Sequence, residues 1–334
     1  MQDLQDSQDK NLIDLIRRFA EQRIVILGDA IADKFLHGAI SRVSREAPVF
    51  ILRHQHTETL PGGAANCAMN LVALGARVSL ISVTGDDESG SELRARLEAA
   101  GVNIDGLIVS DRIQTTTKVR ILAGQSHSSK QQVIRVDYEG APLHDEEIRS
   151  AILKRLEQTF NGANAFVISD YNYGVVDARG AELIRQNAKV PVLVDSRFRL
   201  SEFTGFTAAT PNQEEVEHLA GASISSTEDL ERAAKELKAH LGHHALLVTR
   251  GSQGMTLLEA DAAPVHIHAV GAQQAVDVTG AGDTVIATFT LALACGASFT
   301  EAARLANYAG GLVVMKRGTA TVSASELEHA IRQD

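Results

Sequence analysis

Asp277-Val278-Thr279-Gly280-Ala281-Gly282-Asp283-Thr284 runs directly into an apolar stretch from Val285 to Cys295. This order predicts a short strand ending at Asp277, a glycine turn, and then a helix. Gly280 and Gly282 have no Cβ, so the backbone N–H groups of Gly280, Ala281 and Gly282 can close on an anion. The helix that starts there adds its positive end. Asp283 stands beside this anion site. A carboxylate is a poor ligand for an anion, but it is a good base for a hydroxyl proton while the amides hold a phosphoryl group. A glycine turn with a capping aspartate would explain a bare Gly-x-Gly-Asp equally well; eight residues in this order at a strand-to-helix junction favour the phosphoryl reading. The stretch is not a Walker loop, because no Gly-Lys-Ser/Thr follows. It is not a dinucleotide fingerprint either, because the G-x-G-x-x-G spacing is missing.

A second segment, Pro61-Gly62-Gly63-Ala64-Ala65-Asn66-Cys67-Ala68-Met69-Asn70-Leu71, lies about two hundred residues earlier. Together and in this order, the two segments resemble the N-terminal and C-terminal signatures of the ribokinase-like (PfkB) carbohydrate kinases. The resemblance implies an α/β fold: a three-layer sandwich whose mainly parallel central sheet has helices on both faces, plus a small β-lid. It also implies ATP and Mg²⁺ as cofactors, with dependence on a monovalent cation left open, and a homodimer formed through the lid.

At 334 residues the chain suits a single domain of this kind, running 1–334, and can bury a sizeable core. The net charge of −10 and the absence of tryptophan argue against nucleic acid and anionic membrane as partners. Cys67 and Cys295 lie in apolar helical patterns and have no metal-ligand spacing, so they read as buried free thiols in a reducing cytoplasm. The polar, acidic start from Met1 to Lys10 is not a signal peptide, and no apolar run is long enough to span a membrane. Periodicity predicts helices over Asn11–Gln22, Ala64–Leu74, Ser89–Ala100, Ala178–Asn187 and Thr227–His240. It predicts strands over Ile24–Leu27, Arg77–Val83, Ala165–Ser169, Pro191–Asp195 and Ala245–Thr249. This alternation implies a parallel sheet that collects its ligands at the C-terminal strand ends, where Asp29, Asp170, Asp195, Asn212, Arg250 and Asp277 would converge. Two β-rich stretches, about 33–54 and 112–138, break the alternation and read as the lid, with a Gly/Ser/His-rich loop from Gly124 to Ser129.

Asp283 is the expected general base, with Gly280, Ala281 and Gly282 as the anion hole. On the sugar side, carboxylates suit hydroxyls because each accepts two donors. Asp29 and Asp33 are the candidates, with Asp33 at the position where the family places a sugar-binding aspartate, and Asp170 joins them in the phrase Ser169-Asp170-Tyr171. Gly62 and Gly63 would let a sugar ring lie against the backbone, and Asn66 can donate to and accept from a hydroxyl. On the nucleotide side, Thr210-Pro211-Asn212-Gln213-Glu214-Glu215 resembles the family's Asn-x-x-Glu motif, which places Asn212 and Glu215 near Mg²⁺, Glu215 through water. The same spacing is also a capping box. Thr249, Arg250, Gly251 and Gly254 resemble the family's nucleotide loop, and Asp277 and Thr279, at the start of the C-terminal signature, are expected on the nucleotide with them.

The finer resemblance is to heptose 7-phosphate kinases of Gram-negative bacteria. It covers nearly the whole chain from about Ile24, through phrases such as Ser41-Arg42-Val43-Ser44-Arg45-Glu46-Ala47-Pro48-Val49, Thr117-Lys118-Val119-Arg120 and Arg135-Val136-Asp137. It implies ATP-dependent phosphorylation of C1 of D-glycero-D-manno-heptose 7-phosphate, on the route to the lipopolysaccharide inner core. A 7-phosphate calls for cations. Lys118, Arg120 and Arg135 alternate along the lid strands and could share a face, with Arg42, Arg45 and Arg197 as further candidates. A kinase for another sugar or sugar phosphate, such as fructose phosphate, is the alternative within the family; a non-catalytic sugar or nucleotide sensor is the alternative outside it, disfavoured by the intact Gly-Ala-Gly-Asp. Many heptose kinases carry a further nucleotidyltransferase domain, for which 334 residues leave no room.

Overall fold

The computed structural model describes residues 2–124, 130–259, 262–271 and 275–333, with side chains from residue 8 onward. Most of the predicted loop from Gly124 to Ser129 lies outside the described residues. The chain opens with α1 (Gln2–Arg17), a single 3₁₀ turn at Phe19–Glu21, and β1 (Arg23–Gly28). The long strands β2 (Ala30–Val43) and β3 (Phe50–Gly63) follow, then α2 (Ala64–Ala73), β4 (Arg77–Gly85), α3 (Glu88–Ala99) and β5 (Leu107–Ser110). Next come β6 (Thr117–Gly124), β7 (Gln131–Tyr138), α4 (Glu146–Glu157), β8 (Ala165–Asp170), α5 (Ala178–Asn187), β9 (Val192–Ser196) and β10 (Ala208–Ala209). The last third holds α6 (Gln213–Ala220), α7 (Thr227–Leu241), β11 (Ala245–Thr249), β12 (Met255–Leu258), β13 (Val265–Ile267), α8 (Ala281–Ala294), α9 (Phe299–Val313) and α10 (Ala324–Gln333).

Nine strands form the main sheet in the order β13-β12-β11-β10-β9-β8-β1-β4-β5. It is parallel from β11 through β5, and β12 and β13 pair antiparallel at one edge. The core strands are apolar on both sides, as a sheet covered on both faces requires. Ile24 and Ile26 of β1, with Ala165 and Val167 of β8, face a core built on α1, α2, α8, α9 and α10. Val25 and Leu27, with Phe166 and Ile168, face a second core built on α4, α5 and α7. These are the three layers the sequence implied. Leu12, Ile16 and Phe19 are buried along one face as predicted, although the first helix starts earlier than expected and ends before the 3₁₀ turn.

The lid is a separate four-stranded sheet, β3-β2-β6-β7. β2 leaves the body directly after Asp29, pairing antiparallel with β3 and parallel with β6, while β7 returns antiparallel to β6. The lid is therefore continuous with the end of β1, and Asp33, Lys118 and Arg120 lie where it joins the body. One prediction fails. No strand ends at Asp277; the N–H groups of Val276 and Asp277 both donate to Val314 O, at 2.8 and 3.1 Å, so this segment hangs from the end of α9 rather than from the sheet. Cys67 and Cys295 are buried and free, and no helix among the described residues is long and apolar enough to cross a membrane.

Candidate active site

Gly280 sits at φ 77°, in the left-handed region, and starts α8. A Cβ there would fall 2.4 Å from Asn66 Nδ2, so the position requires glycine for both conformation and space. Asp283 follows in the first turn and is 4% exposed. Its Oδ2 accepts from Asn66 Nδ2 at 2.7 Å, and its Oδ1 accepts from the Tyr171 hydroxyl at 3.1 Å. Asn66 is held in turn by Asn70 Nδ2, which donates to its Oδ1 at 3.3 Å, while Thr284 Oγ1 donates to Asn70 Oδ1 at 2.8 Å. The two signature segments thus meet in one hydrogen-bonded unit. Burial raises the Asp283 carboxyl to about 7, against the lowering effect of Asn66 and Tyr171. A carboxyl poised near neutrality beside a helix N-terminus is suited to proton abstraction. Ala281 N–H donates to Val278 O at 3.2 Å, which leaves Gly280 and Gly282 as the amides of the predicted trio without a backbone acceptor among the described residues.

A cavity of ≈ 510 Å³ opens beside Asp283. The lid contributes Asp33, Lys118, Arg120 and Arg135 to it, and the strand ends contribute Asp170, Asp195, Arg197, Asn212, Glu215 and Thr249. Asp33 forms an ion pair with Arg120. Burial raises its pKa, with Arg120 pulling the other way. Lys118 is 8% exposed, its Nζ lying 5.8 and 5.6 Å from the Tyr171 and Tyr173 ring centroids; burial lowers its pKa. Lys118, Arg120 and Arg135 therefore share the cavity wall with Arg197, Arg135 being paired with Asp137 at 2.8 and 2.9 Å, whereas Arg42 and Arg45 lie exposed at the far end of the β2–β3 hairpin. Asp195, at the end of β9, has its carboxyl held well above the usual range by burial and by Glu215, Asp283 and Asp170. Glu215 is raised by burial. Thr210 Oγ1 and Thr319 Oγ1 are buried without hydrogen-bond partners among the described residues, and both line this cavity. Orphaned hydroxyls at a cavity wall are donors waiting for a ligand.

A second, more apolar slot of ≈ 200 Å³ continues from the first. It lies between the β11–β12 turn and helices α8 and α9. Gly251, Gly254, Val270, Val278, Gly282, Gly310 and Gly311 line it, and it shares Thr249, Val278, Ala281 and Gly282 with the larger cavity. An apolar slot opening onto the N-terminus of α8 has room for an apolar ring system, with an attached anionic group toward Gly282.

Five predicted site residues are placed elsewhere. Asn66, expected on a sugar hydroxyl, lines neither cavity; its side chain is engaged by Asp283 and Asn70. The Asp29 carboxylate accepts the N–H groups of Tyr171, Tyr173 and Val175 at 2.8, 3.2 and 3.1 Å, with its pKa raised to about 6 by burial. It ties down the β8–α5 loop that presents Tyr171, and does not line the cavity beside Asp283. Asp277 accepts from Thr279 N and Gly318 N, each at 2.9 Å, and anchors the signature loop. Gly62 is covered by Asp33, whose Oδ2 would lie 2.5 Å from a Cβ there, so its role is to seat Asp33 rather than a sugar ring. Arg250 turns toward Gln213, its Nε 3.4 Å from Gln213 Oε1. The Asn212–Glu215 pair forms the capping box of α6, with both reciprocal bonds at 2.9 Å, and still faces the cavity. Asp195 stands at the strand-end ligand face, as its place beyond an apolar strand predicts; Tyr171, Thr210 and Thr319 have no role in the sequence reading, and for Tyr171 its position just beyond an apolar strand is the available signal.

A family model described as pfkB family carbohydrate kinase matches residues 22–326. The chain is 41% identical over 320 residues to the bifunctional protein HldE of Hahella chejuensis, covering 95% of this chain and 65% of that protein. It is 42% identical over 319 residues to the bifunctional protein HldE of Pectobacterium atrosepticum, covering 94% and 64%. The chain thus spans about 65% of the length of such relatives. Among solved structures, Arabidopsis thaliana ribokinase complexed with ribose and ATP superposes with a TM-score of 0.72 at 21% identity, over 93% of this chain and 98% of that one. Phosphofructokinase-2 from Escherichia coli in complex with substrates and products reaches 0.76 at 21%, over 93% and 99%. These likenesses show the fold to be ribokinase-like. Both signature segments converge on Asp283 and the family match runs from Gln22 to Glu326, so the chain belongs to the pfkB family of carbohydrate kinases.

Proposed function

We propose that this kinase transfers the γ-phosphoryl group of ATP to the C1 hydroxyl of D-glycero-D-manno-heptose 7-phosphate, giving the 1,7-bisphosphate. The observation that carries the proposal is the pairing, in one cavity, of a buried near-neutral carboxylate at a helix N-terminus with a cluster of cations on the lid. A neutral sugar needs the first; only a phosphorylated sugar needs the second. The similarity to the bifunctional proteins HldE, which covers most of this chain but only part of theirs, is consistent with that substrate class.

In this reading Asp283 takes the C1 hydroxyl proton as the new O–P bond forms, with Asn66 and Tyr171 fixing its orientation. The Gly280 and Gly282 amides and the positive end of α8 meet the charge spread over the moving phosphoryl group. Asp33 accepts from sugar hydroxyls, while Lys118, Arg120, Arg135 and Arg197 hold the 7-phosphate. The slot lined by Gly254 and Gly311 takes the base of ATP. Asp195 and Glu215, an oxygen-only donor set with raised pKa values and the orphaned Thr210 hydroxyl nearby, fit a hydrated hard cation such as Mg²⁺, which would supply charge neutralisation for the phosphates. The lid edge leaves Val133, Ile134, Val136 and Tyr138 exposed at 48, 53, 38 and 50%. An apolar, unpaired edge of this kind suits a second copy of the chain, as the notion of a lid-mediated homodimer requires.

ATP consumption is measured with the heptose 7-phosphate, fructose 6-phosphate, ribose or no sugar, beside an Asp283→Ala control. Turnover selective for the heptose phosphate and lost in the control is the expected result. Turnover with fructose 6-phosphate in preference would replace the substrate and keep the chemistry. Turnover that survives in the control would remove Asp283 as the base.

A further inference from the structure

The lid carries a group of side chains that phosphoryl transfer does not use. His37 on β2 lies directly opposite His56 on β3 in the strand register, and the two imidazoles stack with centroids 4.1 Å apart and planes 13° from parallel. Glu58 lies two residues beyond His56 on β3, on the same side of the sheet. Its Oε1 is 3.3 Å from His37 Nε2, off the hydrogen-bond direction, and that nitrogen is buried with no hydrogen-bond partner among the described residues. The nearest ligand atoms of His37, His56 and Glu58 all lie within 4.8 Å of one another. His37 shares its face of β2 with Asp33, so the group sits on the cavity side of the lid, about 13 Å along the strand from Asp33.

We propose that His37, His56 and Glu58 form a site for a divalent transition-metal ion of the Zn²⁺ class, held by two imidazole nitrogens and one carboxylate with a fourth position open to solvent. Around a tetrahedral zinc, donor atoms at about 2.0–2.2 Å from the metal lie about 3.3 Å from one another. The His37–Glu58 separation already has that value, and closing the remaining ones takes side-chain rotation on two paired strands. Nitrogen donors favour zinc, cobalt, nickel or copper over magnesium, which separates this site from the all-oxygen wall of Asp195 and Glu215. A metal here joins β2 to β3 and stiffens the hairpin next to the bulge that follows His37.

The test uses the full chain, stripped with chelator and held in excess Mg²⁺. Co²⁺ is titrated while the visible d–d absorption is read, and Zn²⁺ then competes. One equivalent of Co²⁺ is expected to give a saturable band that Zn²⁺ removes. His37→Gln, His56→Gln and Glu58→Gln should each weaken Co²⁺ binding by at least about tenfold. His329→Gln, a remote exposed histidine on α10, should leave it unchanged. Retained ATP binding in the variants separates lost metal from lost fold. The absence of a saturable one-to-one band in excess Mg²⁺, or equal affinity in the three variants and the wild type, would overturn the proposal and leave two stacked, uncoordinated imidazoles.

Discussion

The pH dependence of kcat/KM tests the role of Asp283 through its two hydrogen-bond donors. With a carboxyl titrating at about 7, the ionised fraction is about one eleventh at pH 6 and about ten elevenths at pH 8, so the rate rises about tenfold across that window. Both donors, the Asn66 amide at 2.7 Å and the Tyr171 hydroxyl at 3.1 Å, stabilise the ionised form. Removing either raises the pKa, lowers the ionised fraction at any given pH, and moves the acid limb upward. A hydrogen bond to a charged group contributes about 1.5–3 kcal/mol, and one pH unit corresponds to about 1.4 kcal/mol. The longer tyrosine bond belongs at the low end, so Tyr171→Phe should shift the limb by about one unit, and Asn66→Ala, which loses the shorter bond, by more. Initial rates from pH 5.5 to 9.5 at saturating ATP and limiting sugar phosphate read this directly. Asp283→Asn, which removes the titrating group, should lower kcat/KM by about 10²–10⁴-fold and abolish the limb. An unmoved limb in both donor variants, or a shift toward lower pH, would refute the assignment of the limb to Asp283.

Three further outcomes follow from the same geometry. Asp283→Asn should melt higher than wild type at pH 8 in calorimetry, because a carboxyl whose folded pKa lies above its unfolded value loses stability as pH rises from about 4 to about 7; the difference should vanish by pH 4. Gly282→Leu should raise KM for ATP about tenfold or more, equivalent to about 1.4 kcal/mol of lost binding, with a nearly unchanged melting temperature, because a Cβ at Gly282 meets nothing within 4 Å and points into the space assigned to phosphates. Lys118→Met keeps the packing against Tyr171 and Tyr173 and deletes the charge; KM for the phosphorylated sugar should rise at least about tenfold, while any residual turnover of an unphosphorylated sugar stays within about twofold, read from paired saturation curves.

The layers and the position of Asp283 in the first turn of α8 were readable from sequence because each rests on local order. Alternating apolar strands and amphipathic helices specify the sandwich, and Gly280, with its positive φ, can be recognised from its neighbours alone. Even the contact between the two signatures, Asn66 to Asp283 across 217 residues, follows once both segments are placed at the ends of parallel strands. Other readings depended on partners that the local sequence does not name. Asp29 and Asp33 look alike, each a carboxylate just beyond β1. Three N–H groups from a loop 142, 144 and 146 residues away engage Asp29, whereas Arg120, 87 residues away, meets Asp33 at the cavity wall. Val276 and Val278 alternate with Asp277 as a strand would, yet the N–H groups of Val276 and Asp277 go to a single carbonyl of α9. A carboxylate engaged by several backbone N–H groups organises a loop; one left facing a cavity, with its pKa raised by burial and by neighbouring carboxylates, is available for chemistry. By that criterion Asp195, which the sequence places only at the strand-end ligand face, belongs with Asp283, and Asp277 belongs with Asp29.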